Sequence, residues 1–239
     1  MKCICALLVG LFVFTPTTAL ASSECVILLH GLARSADSME QLEQALASDG
    51  YQVANTGYPS RKANIQTLAP IAVESGLAAC EQDYAKVHFV THSLGGILVR
   101  SYLQDHELER LGRVVMIGPP NQGSQVVDNL KNVPGFKLIN GPAGVELGTA
   151  KDSVPVNLGP VTFELGVIAG TKTFNPLLSQ LLPNPDDGKV SVANTKVEGM
   201  RDFITVPHTH TFLMDADVVI QQTKHFLKTG SFRHERQEK

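Results

Sequence analysis

Ser93 lies in the run Val90-Thr91-His92-Ser93-Leu94-Gly95-Gly96, between an apolar strand-like stretch and an apolar helix-like one. A serine attacks a carbonyl only if its hydroxyl is exposed and a base can reach it, and a tight strand-to-helix turn meets both conditions. Small residues two before and two after the serine let such a turn pass close to its neighbours. Gly95 satisfies this at the second position. Thr91 stands at the first, where glycine is usual, so the turn must take a β-branched side chain. A helix beginning at Leu94 would face its free N–H groups and positive dipole end toward an oxyanion formed beside Ser93, with the Leu94 N–H as the natural donor. Alone, such a string is equally a plain turn; the strand before it and the helix after it argue for a nucleophile.

The rest of the constellation is sought at the ends of other strands. His30-Gly31-Leu32 directly follows the first strand-like run, and Gly31 allows a strained backbone that points an N–H inward. Leu32 is therefore the expected second oxyanion donor, with His30 and Gly31 shaping the loop; read alone, the same tripeptide is an ordinary strand exit with a structural histidine. An acid and then a histidine should follow the serine. Asn184-Pro185-Asp186-Asp187-Gly188 is turn chemistry bearing two carboxylates. Asp187 is the expected acid because it stands immediately before Gly188 and the Lys189-Val190-Ser191-Val192 run; Asp186 is the alternative, and a solvated turn is the plain reading. Of eight histidines, only His208 and His210 lie just beyond the last strand-like run. His210 is preferred, being deeper in the loop and followed by Thr211-Phe212-Leu213. His225 falls in a helix-like run, His88 in a strand-like one, and His92 should point away from the serine in a structural role.

These side chains need a scaffold that collects strand ends. Short apolar runs (Cys25–Leu29, Tyr51–Asn55, Lys86–Thr91, Arg113–Ile117, Phe163–Ala169, Asp202–Val206) alternate with helix-like segments (Ser38–Ser48, Ile65–Cys80, Leu94–Leu103, Asp215–Leu227), a pattern that implies crossovers and a mostly parallel sheet of about six strands flanked by helices. Between Pro119 and Pro160, glycine and proline are dense and periodicity fades, so residues 119–160 are expected to form a loop-rich excursion bordering the substrate site. Residues 229–239 are a polar tail expected to fray.

The chain has 239 residues, 43% of them hydrophobic, enough for one core. Its formal net charge of −3, with charges scattered, gives no basic footprint, so nucleic acid is not an expected partner. At the start, Lys2, the apolar run Ile4–Phe14 and Ala19-Leu20-Ala21 read as a signal peptide over residues 1–21, cleaved after Ala21; an uncleaved N-terminal anchor is the alternative. Residues 22–239 then form one domain, exported to the periplasm or the medium. Cys3 and Cys5 leave with the signal, and Cys25 and Cys80 remain as an even pair, either bridged or two buried thiols.

His30-Gly31-Leu32, His92-Ser93-Leu94-Gly95-Gly96, Pro119-Pro120-Asn121-Gln122-Gly123-Ser124, Asp187-Gly188-Lys189-Val190-Ser191-Val192 and His210-Thr211-Phe212, taken in order, resemble the bacterial lipase-like α/β-hydrolases over nearly all of the mature chain. The departures are Thr91 at the turn and Pro119, where threonine or a small residue is more common. The resemblance implies an α/β-hydrolase fold with Ser93, Asp187 and His210 as nucleophile, acid and base, and Leu32 and Leu94 as oxyanion donors. The expected activity is cleavage of carboxylic esters, without a metal or organic cofactor. The expected partner is a small-molecule or lipid ester, with peripheral contact at a lipid interface. An acyltransferase or amidase with the same three residues, or a non-catalytic lipid-binding relative, are the alternatives.

Overall fold

The computed structural model describes residues 24–81 and 83–234. The segment read as a signal peptide, with Cys3, Cys5 and the expected cleavage site, lies outside the described residues, as do the last five residues of the tail.

Among the described residues, six strands form one sheet: β1 (Cys25–Leu29), β2 (Gln52–Asn55), β3 (Val87–His92), β4 (Leu111–Ile117), β5 (Leu165–Gly170) and β6 (Asp202–Val206). Their spatial order is β2-β1-β3-β4-β5-β6, and every neighbouring pair is parallel. Parallel neighbours need crossovers, which α1 (Glu40–Ser48), α2 (Ile65–Ala79) and α3 (Leu94–Asp105) supply for the first four strands. The alternating side chains of each strand divide the core. Ile27, Leu29, Phe89 and Met116 pack with α2 and α3 on one face. Val26, Leu28, Val90 and Ile117 pack on the other, against α1 and the terminal helix.

The chain runs from β1 outward to β2 and then returns past β1 to β3. That reversal opens a crevice at the carboxyl ends of β1 and β3, where this class of sheet receives ligands. His30-Gly31-Leu32 leaves β1 there, and Ser93 leaves β3 there.

The excursion is more ordered than its composition suggests. It holds three helices, α4 (Gln125–Leu130), α5 (Phe136–Val145) and α6 (Val154–Asn157). Each is too short to print a clear 3.6-residue period, and α5 is kinked where Gly141 takes φ +70° ahead of Pro142. After β5 come α7 (Pro176–Ser179) and α8 (Val192–Thr195), and α9 (Asp217–Thr229) closes the domain. The described part of the tail does not fray. The Phe232 ring packs 4.8 Å from that of Phe226, and its N–H donates to Asp202 Oδ2 (2.6 Å).

Candidate active site

Ser93 is the last residue before α3 and carries φ +52° and ψ −117°, a conformation a non-glycine residue adopts only when its surroundings enforce it. Its N–H is held by the carbonyl of Ile117 on β4 (2.9 Å), and the helix leaves so close to β1 that a Cβ on Gly95 would lie 2.5 Å from the Leu29 carbonyl oxygen. Glycine is therefore required at that position. Thr91 is accommodated because Gly96 leaves room: a Cβ on Gly96 would sit 3.2 Å from the Thr91 hydroxyl. The β-branch two residues before the serine is thus matched by a second glycine three residues after it.

His210 begins a single 3₁₀ turn, His210–Phe212, beyond β6. Its Nδ1 lies 2.7 Å from Asp187 Oδ2 and its Nε2 lies 3.0 Å from Ser93 Oγ. With the ring proton on Nδ1, facing the carboxylate, Nε2 is left to accept from the serine hydroxyl. The loop bearing the acid is fastened from several sides. Asp187 Oδ1 accepts from the N–H groups of Lys189 (3.0 Å) and Val190 (2.8 Å), and the Asp187 carbonyl accepts from the His210 N–H (3.0 Å). Asp186 is turned elsewhere, accepting from the Ser179 hydroxyl and the Gly188 N–H. The structure therefore brings Ser93, Asp187 and His210 together and leaves Asp186 and His208 out.

His92 supports this arrangement. It is fully buried, and its Nε2 donates to the His210 carbonyl (3.0 Å), so it holds the turn that presents the imidazole. Its Nδ1 is buried with no partner, and burial holds its pKa well below the usual histidine value. A side chain on Gly31 would lie 2.7 Å from that nitrogen, so the loop after β1 passes directly over it.

That loop carries Leu32, whose N–H has no partner among the described residues, and Ala33, at φ +56°. Leu94 opens α3, so its N–H has no intrahelical acceptor. His30 does not face the cavity. Its ring stacks on Tyr58 at 4.2 Å, its Nδ1 donates to the Gly31 carbonyl (2.8 Å), and the Tyr58 hydroxyl donates to the His30 carbonyl (2.6 Å). Burial lowers the His30 pKa, so the ring serves as a neutral brace. Ser60 completes the support by accepting from the Ala33 N–H (3.1 Å).

Ser93 and His210 open into a cavity of about 460 Å³. Its apolar wall includes Leu32, Val127, Leu130, Phe136, Leu147 and Leu178. Most of this wall comes from the excursion, whose two ends are fixed to the helix behind Ser93. The buried guanidinium of Arg100 on α3 donates to both oxygens of Asn121 (2.9 and 3.1 Å) and to the Gly159 carbonyl (2.6 Å). Burial without a carboxylate partner brings its pKa down to about 10. Far from this site, Cys25 and Cys80 are joined in a disulfide, with Cα atoms 6.1 Å apart.

Tyr58, Ser60, Arg100 and Leu178 escape sequence reasoning. The first two follow β2, and the only hint is that the exit of a neighbouring strand must lie beside the exit of β1. Arg100 reads as an ordinary helical arginine, and Leu178 as part of a featureless loop.

The family model of palmitoyl protein thioesterases matches residues 25–154, more than half of the chain, a span that includes Leu32 and Ser93 but ends before Asp187 and His210. No curated protein matches the chain. Among solved structures, the mature form of the Bacillus licheniformis lipase BlEst2 is similar over 87% of this chain and 93% of its own, with TM-score 0.70 and 19% identity. The Legionella pneumophila phospholipase PlaB, in complex with thio-NAD, has TM-score 0.70 and 17% identity over 87% of this chain and 59% of its own. A chain from the structural work on the metagenome-derived lipolytic enzymes LipS and LipT gives TM-score 0.59 and 17% identity over 87% of this chain and 94% of its own. At such identities the likeness speaks for the fold, a parallel sheet flanked by helices as in the lipases. The chain belongs to the palmitoyl protein thioesterase family of α/β-hydrolases.

Proposed function

We propose that this chain is a serine hydrolase that cleaves carboxylic esters through an acyl-enzyme. The observation that carries the reading is the unbroken contact from Ser93 Oγ to His210 Nε2 (3.0 Å) and from His210 Nδ1 to Asp187 Oδ2 (2.7 Å), at the mouth of an apolar cavity. Ser93 Oγ attacks the ester carbonyl carbon as its proton passes to His210 Nε2. Asp187 keeps the imidazole oriented and stabilises its positive charge. The carbonyl oxygen, now an anion, is held by the N–H groups of Leu32 and Leu94. Collapse expels the alcohol, which takes the proton from His210. Water then repeats the attack on the acyl-enzyme, releasing the acid and restoring the serine. The cavity volume falls within the range that buries most of a small ligand, and its aliphatic lining suits an acyl chain.

The test is Ser93→Ala in the purified mature protein. Hydrolysis of p-nitrophenyl esters should disappear, and a fluorophosphonate probe that labels the parent should not label the variant. Undiminished turnover would refute the assignment. A second reading, a thioester as the natural substrate, is favoured by the family match. Comparing an S-palmitoyl peptide with p-nitrophenyl palmitate decides between them, since the acyl group is the same and only the leaving group differs. Product analysis with alcohol or amine acceptors separates hydrolysis from acyl transfer. Export, as read from residues 1–21, remains part of this proposal, and fractionation of cells expressing the full chain tests it.

A further inference from the structure

The rim of the cavity presents a surface that ester chemistry does not require. Among the described residues, eight large hydrophobic side chains are prominently exposed, and six of them (Val133, Leu138, Ile139, Phe174, Leu177 and Phe212) fall on three chain segments that contain or adjoin residues lining the cavity. Ile139, Leu178 and Thr211 line the cavity, which puts their sequence neighbours Leu138, Leu177 and Phe212 at its edge. Leu138 is 86% exposed and Phe174 76%. The Phe174 and Phe212 rings meet edge to face at 5.9 Å, joining two of the segments. Concentrated apolar exposure of this kind marks an interaction site rather than ordinary surface.

The same rim is basic. Arg34 and Lys189 line the cavity, Arg61 donates to the Ile139 carbonyl, and Lys137 directly precedes Leu138. Lys172 lies two residues before Phe174. Residues 130–145 contain no acid, and the only acids between 171 and 189 are Asp186 and Asp187, both buried and engaged. On the third segment Asp215 lies near Arg34 and offsets it, so the local excess of positive charge rests on Arg61, Lys137, Lys172 and Lys189, in a chain whose formal net charge is −3. Exposed apolar tips interleaved with cations suit an anionic lipid surface, which rewards both at once.

We propose that this rim docks the protein on an anionic phospholipid bilayer. Leu138, Phe174 and Leu177 enter the acyl boundary, Lys137 and Lys172 meet the headgroups, and the cavity opens toward the membrane. The purpose of docking rests on the reading of the cavity as an acyl-ester site, but its test does not.

Ser93→Ala protein, which cannot consume the lipid, is sedimented with vesicles of phosphatidylcholine alone or mixed equally with phosphatidylglycerol. Binding should favour the anionic vesicles and collapse in 1 M salt, where the screening length shrinks to about 3 Å. Lys137→Glu with Lys172→Glu should weaken binding to anionic vesicles by about 25-fold, roughly fivefold for each cation lost. Leu138→Asp with Phe174→Asp should weaken it on both vesicle types. In the Ser93 background, neither pair should change hydrolysis of a short soluble ester by more than about twofold, because none of the four residues lines the cavity. Equal binding to neutral and anionic vesicles, rim variants that bind as the parent does, or rim variants that fail only on a soluble acylated peptide would each overturn the proposal. Vesicle binding without ester turnover by the parent would leave docking standing and sink the catalytic reading; the converse would do the opposite.

Discussion

Where the strands begin, Glu24 is paired with His88, Glu164 bridges Arg113 and Arg201, Asp202 receives the Phe232 N–H, and the Cys25–Cys80 bridge ties β1 to the end of α2. Where the strands end, Ser93 and Ala33 hold positive φ, His92 Nδ1 is buried without a partner, and apolar side chains stand in water at the rim. Strained backbone and unmet polar groups each cost on the order of 1–3 kcal/mol and persist only when the surrounding fold over-determines them. One end of the sheet thus supplies constraint, and the other spends it in placing Ser93, His92 and His210. Substitutions at the two ends should therefore separate stability from activity.

The largest separation is expected from Asp187→Asn, which should lower kcat on a soluble ester by about 10⁴ while leaving the thermal midpoint nearly unchanged. A midpoint that fell in step with activity would show that the carboxylate chiefly holds the loop. Cys25→Ser with Cys80→Ser should do the reverse. Loss of the bridge is expected to cost about 2–5 kcal/mol in chemical denaturation, with kcat of the folded fraction intact at 25 °C.

A smaller effect should appear on acidification. Burial holds His30 and His92 below the ordinary histidine value of 6.5, so the unfolded chain takes up protons first as pH falls. Their contribution is fully present above about pH 6.5 and is lost below it. The thermal midpoint should fall between pH 7 and pH 5, less steeply in His30→Gln; identical slopes would remove His30 from the account. The smallest change is expected from Glu164→Gln, whose partly exposed bridges to Arg113 and Arg201 should be worth less than about 1 kcal/mol.

Much of the scaffold was legible because its signals are local. Apolar runs of strand length, each closed by a turn residue, mark all six strands to within a few residues. Ser93 stands out because its turn, flanking strand and glycines are contiguous. The position of Asp187 immediately before Gly188 is a local signal too, and in the structure Asp187 Oδ1 accepts from the N–H groups of Lys189 and Val190 while Oδ2 faces His210. The excursion was harder: α4, α5 and α6 are short and interrupted by glycine and proline, so they resemble loop until packed over the cavity. The tail reads as polar because Phe232 is its one large apolar residue, and what holds it is packing on Phe226, pairing of the Arg233 backbone with the Gln222 side chain, and the reach of the Phe232 N–H and His234 to Asp202 on β6, at least thirty positions back in the chain.

The amino-acid sequence by itself determined the alternation of strands and helices, and with it the parallel sheet and the turn that presents Ser93, because these depend on period and on residues adjacent in the chain. Tertiary structure alone decided that His210 and Asp187 meet Ser93, that His92 and Tyr58 brace the surrounding loops, and that exposed Leu138 and Phe174 gather at one mouth. Those contacts join residues tens to more than a hundred positions apart, and only the closing of the sheet and its crossovers sets the distances between them.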